Sequence, residues 1–107
     1  MAQKNYDVAL KKFEKAINID SSFLAPYINR AIIYLDYMNV PPAAMFVLKD
    51  AVNVNPKSAE VYYHLGRVLF KLKDYHRAAD MFSQAIFYNP DYEEIIRETL
   101  IKLQKKG

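Results

Sequence analysis

The amino-acid sequence predicts an all-α fold of stacked helical hairpins, and three observations carry that expectation. Three segments repeat one pattern of small and aromatic residues at offsets of 34 or 35 positions. Within each segment these residues recur every three or four positions, the spacing of one helix face. Only two glycines and five prolines punctuate the 107 residues, and the prolines fall between periodic stretches or at their starts.

The elements follow in order. A first helix is expected near 5–19, from Asn5-Tyr6, Ala9, Phe13 and Ala16-Ile17. Tyr27, Arg30, Ala31 and Tyr34 predict a second over 24–37. The third, near 42–54, repeats the first pattern as Ala44, Leu48 and Ala51-Val52 after Pro41. Tyr62, Leu65, Gly66 and Leu69 place the fourth over 59–72, and Asp74-Tyr75, Ala78, Phe82 and Ala85-Ile86 the fifth over 75–88. A sixth, 92–104, is amphipathic, with Tyr92, Ile96, Leu100 and Leu103 on one stripe. Asp20-Ser21, Asn55-Pro56 and Asn89-Pro90 close the three repeated segments. Gly66 costs about 1 kcal/mol against alanine inside a helix. Its presence implies a helix contact too close for a side chain, and Ala31 holds the equivalent place one repeat earlier.

Residues 59–92 resemble the tetratricopeptide repeat (TPR) through Tyr62, Leu65-Gly66, Asp74-Tyr75, Ala78, Phe82, Ala85 and Pro90. Residues 24–58 resemble it through Tyr27, Asn29-Arg30-Ala31, Tyr34, Ala44, Ala51 and Pro56. That repeat departs at its internal turn, where Met38-Asn39-Val40-Pro41-Pro42 carries one extra residue. Residues 5–22 match only the second half of a repeat, and 92–105 form a closing helix, so the chain is expected to be a single domain over 1–107. The resemblance implies a right-handed α-α superhelix of about six helices, a TPR solenoid. It also implies a scaffold whose first helix in each hairpin lines a concave groove for a protein or peptide. On that basis the groove residues are Ile28, Asn29 and Ile32 in one repeat and Tyr63, His64, Arg67, Phe70 and Lys71 in the next, with Leu35, Asp36 and Glu60 beside them. Apolar anchors among Arg67 and Lys71 suit a segment carrying apolar and acidic residues. One subfamily clamps the carboxylate ends of heat-shock chaperones with lysines, asparagines and an arginine. Asn29 stands at one clamp position, but Glu60 and His64 replace cations at two others, and the clamp is not expected here.

Composition narrows the function further. The absence of cysteine excludes disulfides, thiol catalysis and cysteine-held metals. The chain has no G-x-S-x-G, no phosphate-cradling glycine loop, no H-E-x-x-H and no metal-spaced cluster, so neither an enzyme nor a cofactor is expected. A net charge of +3 with intermixed acids argues against a nucleic-acid partner. No apolar run is long enough for membrane insertion and no leader pattern opens the chain, which reads as cytoplasmic. The leading half-repeat is expected to leave Tyr6, Leu10, Phe13 and Ile17 as an apolar face. Either the chain is a piece of a longer protein, or a second copy covers that face in a homo-oligomer.

Overall fold

The computed structural model describes residues 9–12 and 24–106. Among these residues every regular element is helical. They form α1 (Leu24–Ile32), continued by a π-helical turn (Ile33–Tyr37), then α2 (Pro41–Val54), α3 (Ala59–Lys71), α4 (Tyr75–Tyr88) and α5 (Tyr92–Lys106). Residues 9–12 are helical, inside the span expected for the half-repeat. Of its apolar face, Tyr6, Phe13 and Ile17 lie outside the described residues, while Leu10 is half-buried. Helices α1 and α2 form one hairpin and α3 and α4 the next, with α5 against the second.

Helix boundaries have local causes. Ser58 Oγ accepts from the Val61 N–H and Asp74 Oδ1 from the Arg77 N–H, both at 3.3 Å, so α3 and α4 each start on a side-chain cap. Pro41 and Pro42 open α2, where a missing N–H costs nothing. The turns after α2 and α4 are built alike. Asn55 Oδ1 accepts from the Lys57 N–H and Asn89 Oδ1 from the Asp91 N–H, each at 3.0 Å. The repeated Asn-Pro punctuation is therefore one turn used twice.

The extra residue of the first repeat is also accounted for. The Leu69 carbonyl accepts from the Asp74 N–H, five residues on; at the equivalent place the Tyr34 carbonyl accepts from the Val40 N–H, six residues on. The π-helical turn takes up the insertion by widening the last turn of the first helix. Both hairpin turns then reverse through a non-glycine residue at positive φ, Asn39 (56°) and Lys73 (66°).

Two apolar clusters hold the stack. The first joins Tyr27, Ile28, Ala31 and Leu35 to Ala44, Val47, Leu48 and Ala51, and to Val61, Leu65 and Val68 of α3. The second joins Ala59 and Leu69 to Ala78, Phe82 and Ala85 of α4 and Ile96 of α5. In α5 the expected stripe faces inward: Ile96 is buried, and Tyr92, Leu100 and Leu103 are half-buried. Gly66 permits the tightest approach. A Cβ on it would lie 2.5 Å from Cδ1 and Cε1 of Phe82, a ring only 5 % exposed.

Gly66→Ala is expected to destabilise the fold by about 1–3 kcal/mol despite alanine's higher helix propensity, because the ring cannot withdraw. Combining it with Phe82→Leu should cost less than the sum of the single changes, as read from urea unfolding. Lys73→Gly relieves a left-handed residue that has a Cβ and should raise stability by about 0.5–1 kcal/mol; an unchanged midpoint would show the turn unstrained.

Candidate protein-binding site

Arg67, on the middle of α3, organises the groove side of the stack. Its guanidinium donates to Asp36 Oδ1 at 2.5 Å and to His64 Nδ1 at 3.1 Å, and its Cζ lies 5.9 Å from the centre of the Tyr63 ring. Asp36 belongs to the π-helical turn, so this ion pair ties the first hairpin to the second. Both partners keep some exposure, 17 % for the arginine side chain and 36 % for the aspartate, which limits the pair's worth to about 1 kcal/mol.

Tyr63 is fixed from the other side. Its hydroxyl lies 2.7 Å from Thr99 Oγ1. Thr99 gives its own proton to the Ile95 carbonyl at 2.9 Å, so the tyrosine is the donor in the pair. The ring packs at an angle against Tyr92 and Phe82, with centroids 5.5 and 6.3 Å away. Between α3 and α5 this leaves an open cleft of about 470 Å³ lined by Tyr63, Arg67, Thr99, Lys102, Leu103 and Lys105. Three cations around an aromatic and a leucine make a surface for an anion next to an apolar side chain.

The expected groove residues are distributed unevenly. Tyr63 and Arg67 meet in the cleft. His64 is 8 % exposed and Ile28 4 %, so both lie in the packed interior rather than on a contact surface. His64 instead accepts from Arg67 and orients it. Phe70 turns toward Tyr75, ring centres 5.0 Å apart, and lines a separate cavity with Ile96 and Leu100. Asn29 and Lys71 are exposed and Ile32 is half-buried; none of the three lines the cleft. Leu35 is buried as well. Sequence reasoning did not include α5 in the site; the sign that could have found Lys102 and Lys105 is their spacing of three around Leu103, one side of a helix. Among the described residues no group of three or more His, Asp or Glu side chains could hold a metal ion. Nor is any described helix long and apolar enough to cross a membrane.

Comparison with known proteins bears on the repeat and the fold. Residues 59–92, which comprise α3, α4 and the turn that follows each, match the family model of the tetratricopeptide repeat. Over 100 residues the chain is 28 % identical to tetratricopeptide repeat protein 6 of Homo sapiens, an alignment covering 94 % of this chain. Residues 59–92 thus carry a tetratricopeptide repeat, and the human relative is named for that repeat. It is also 28 % identical to the Hsp70-Hsp90 organizing protein of Triticum aestivum over 88 % of its length. With the small glutamine-rich tetratricopeptide repeat-containing protein 2 of Mycosarcoma maydis it shares 26 % identity over 87 %. The chain spans only 18, 16 and 26 % of these three relatives. The crystal structure of MamA has the same fold, with a TM-score of 0.74 at 24 % identity, over 92 % of this chain and 60 % of that one. The architecture is thus an all-α, right-handed TPR solenoid.

The buried histidine makes a pH prediction. Burial lowers the His64 pKa from 6.5 to about 4; Arg67 reinforces the shift and Asp36 opposes it. The unfolded chain binds a proton near pH 6.5 that the folded chain refuses until about pH 4. This contribution is complete above pH 6.5 and is lost as the pH falls toward 4, by up to about 3 kcal/mol. Urea midpoints should fall across that window, and His64→Gln should remove the difference between its two ends; equal slopes in both proteins would contradict the assignment.

Proposed function

We propose that the chain is a protein-interaction scaffold that holds a peptide segment against the Tyr63–Arg67 face, taking an apolar side chain and an acidic group together. The cleft between α3 and α5 carries this reading, because Arg67, Lys102 and Lys105 converge on it beside Tyr63 and Leu103 with no carboxylate in the lining. Aromatic and arginine side chains held in place by their neighbours are the usual energetic centres of an interface. Tyr63 meets that description through Thr99, and Arg67 through His64 and Asp36. Asn29, Ile32 and Lys71 extend the same side of the stack as flanking contacts for a longer segment.

The name of the wheat relative points to chaperone assemblies, and a role beside chaperones is compatible with this face. Recognition of a terminal carboxylate by a clamp fits poorly. Glu60 is exposed at one clamp position and would repel a carboxylate, and His64 at another is buried and held neutral.

Capture of partners from a source lysate by the wild-type chain, Arg67→Ala and Lys102→Glu tests the face. Binding should fall at least tenfold in each variant and weaken with added salt, while helicity by circular dichroism stays the same. Asp36→Asn should instead strengthen binding several-fold, since Arg67 no longer has an internal carboxylate to satisfy. An unchanged set of bound proteins in all three variants would count against the cleft.

A further inference from the structure

A second cleft, of about 490 Å³, opens on a different side of the molecule. It lies between α2 and α4, with Leu65 and Leu69 of α3 as its floor and Met45 and Met81 as its apolar walls. Leu65 and Leu69 sit about 160° around α3 from Tyr63 and Arg67 at 100° per residue, so the two clefts use separate faces of one helix. Met45 and Met81 each pack against both apolar clusters, and the cleft therefore follows the seam between the two hairpins.

We propose that this seam is a second binding face, and that its occupant is an acidic amphipathic α-helix of a partner protein. A helix is favoured by shape. Two helices flank an open trough with a third beneath, the arrangement into which an apolar helix stripe inserts its side chains. Met45 and Val52 mark out about two turns along α2, enough for anchors at i, i+4 and i+7. The methionine walls suit such a ligand, being unbranched and able to repack around different apolar side chains.

The acidic character follows from charge. Lys49 on the α2 side and Arg77 on the α4 side are the charged residues that line the cleft. Among the described residues Lys49 makes no ion pair, and Arg77 makes an exposed one, to Asp74 at 3.5 Å. A helix with glutamates beside its apolar stripe meets a cation on each wall; one with lysines there is repelled by both. This binding is independent of the Tyr63–Arg67 cleft and survives or fails separately from it.

The test uses the full chain with 13C-methyl methionine, whose four methionines include Met38 outside the cleft. It is titrated with a set of synthetic amphipathic helices bearing leucine stripes, flanked either by glutamate or by lysine. The acidic helices should shift the Met45 and Met81 methyl signals in a saturable way and leave Met38 unmoved. Lys49→Glu with Arg77→Glu, both exposed and checked for helicity, should weaken the acidic helices at least tenfold and admit the basic ones. Arg67→Ala should leave this titration unchanged. Equal shifts by acidic and basic helices would overturn the proposal, as would no shift at millimolar peptide. So would Met45 and Met81 shifts that follow the concentration of the chain alone, which would make the occupant a second copy.

Discussion

The approach of α3 to α4 at Gly66 is the constraint on which the rest of the stack depends. With the Phe82 ring against the glycine backbone, α3 sits closer to α4 than any side chain at that place would allow. Burying the phenylalanine contributes about 2–3 kcal/mol, which exceeds the roughly 1 kcal/mol that glycine costs in a helix. The first hairpin solves the same problem with the bulk exchanged. Ala31 stands at the place of Gly66 and Leu48 at that of Phe82, and both are buried at 2 % exposure or less. A larger residue on one side of the hairpin accompanies a smaller one on the other, so both hairpins close within the repeat pattern. The close contact also sets how α3 is turned about its axis. Tyr63 and Arg67 face one cleft for that reason, and Leu65 and Leu69 the other.

A second consequence comes from the insertion in the first hairpin. Because the extra residue is absorbed inside the helix as a π-helical turn, the following turn keeps its hydrogen bond and its left-handed residue. The wider turn lies beside α3, and Asp36 within it reaches Arg67, 31 residues further on. The equivalent place in the second hairpin is Lys71, which is exposed and lines neither cleft. The inter-hairpin ion pair thus belongs to a single step of the array, the one that carries the irregular turn. Irregular helical turns of this kind often accompany functional positions. Here the turn brings a carboxylate to the arginine of the proposed binding face.

Most of the fold was legible in the sequence because its determinants are local or strictly spaced. Caps at Ser58 and Asp74, the paired Asn55 and Asn89 turns and the alanine–aromatic spacing each act within a few residues, and helices α2 to α4 begin and end within one residue of expectation. The first helix differs where the insertion is stored, since a π-helical turn leaves no mark on apolar spacing. The candidate site was half legible. Tyr63 and Arg67 were readable from their offset to the packing stripe. Ile28 and His64 were not, because the offset that points a residue toward the groove also lies next to the neighbouring hairpin, and burial depends on how closely that hairpin docks. Phe70 went to Tyr75 instead of the groove through a contact between helices that no spacing within α3 encodes. The lysines of α5 became part of the site only through the angle at which that helix leans on α3, a tertiary quantity.

The two clefts share one structural element but meet the hairpin seam from different sides. In a repeat array, stability is close to a sum of terms for each unit and for each interface between neighbours. On one side the seam is held by the Asp36–Arg67 pair; on the other, Met45 and Met81 bridge the two apolar clusters. The polar side is weakly held, since a partly exposed ion pair is worth about 1 kcal/mol at most. The apolar side carries most of the interface energy through Val61, Leu65 and Val68, all 5 % exposed or less. A ligand that draws Arg67 away from Asp36 therefore gives up little of the docking energy. In the proposed binding, that asymmetry would let the Tyr63–Arg67 face exchange an internal carboxylate for an external one while the hairpins stay together.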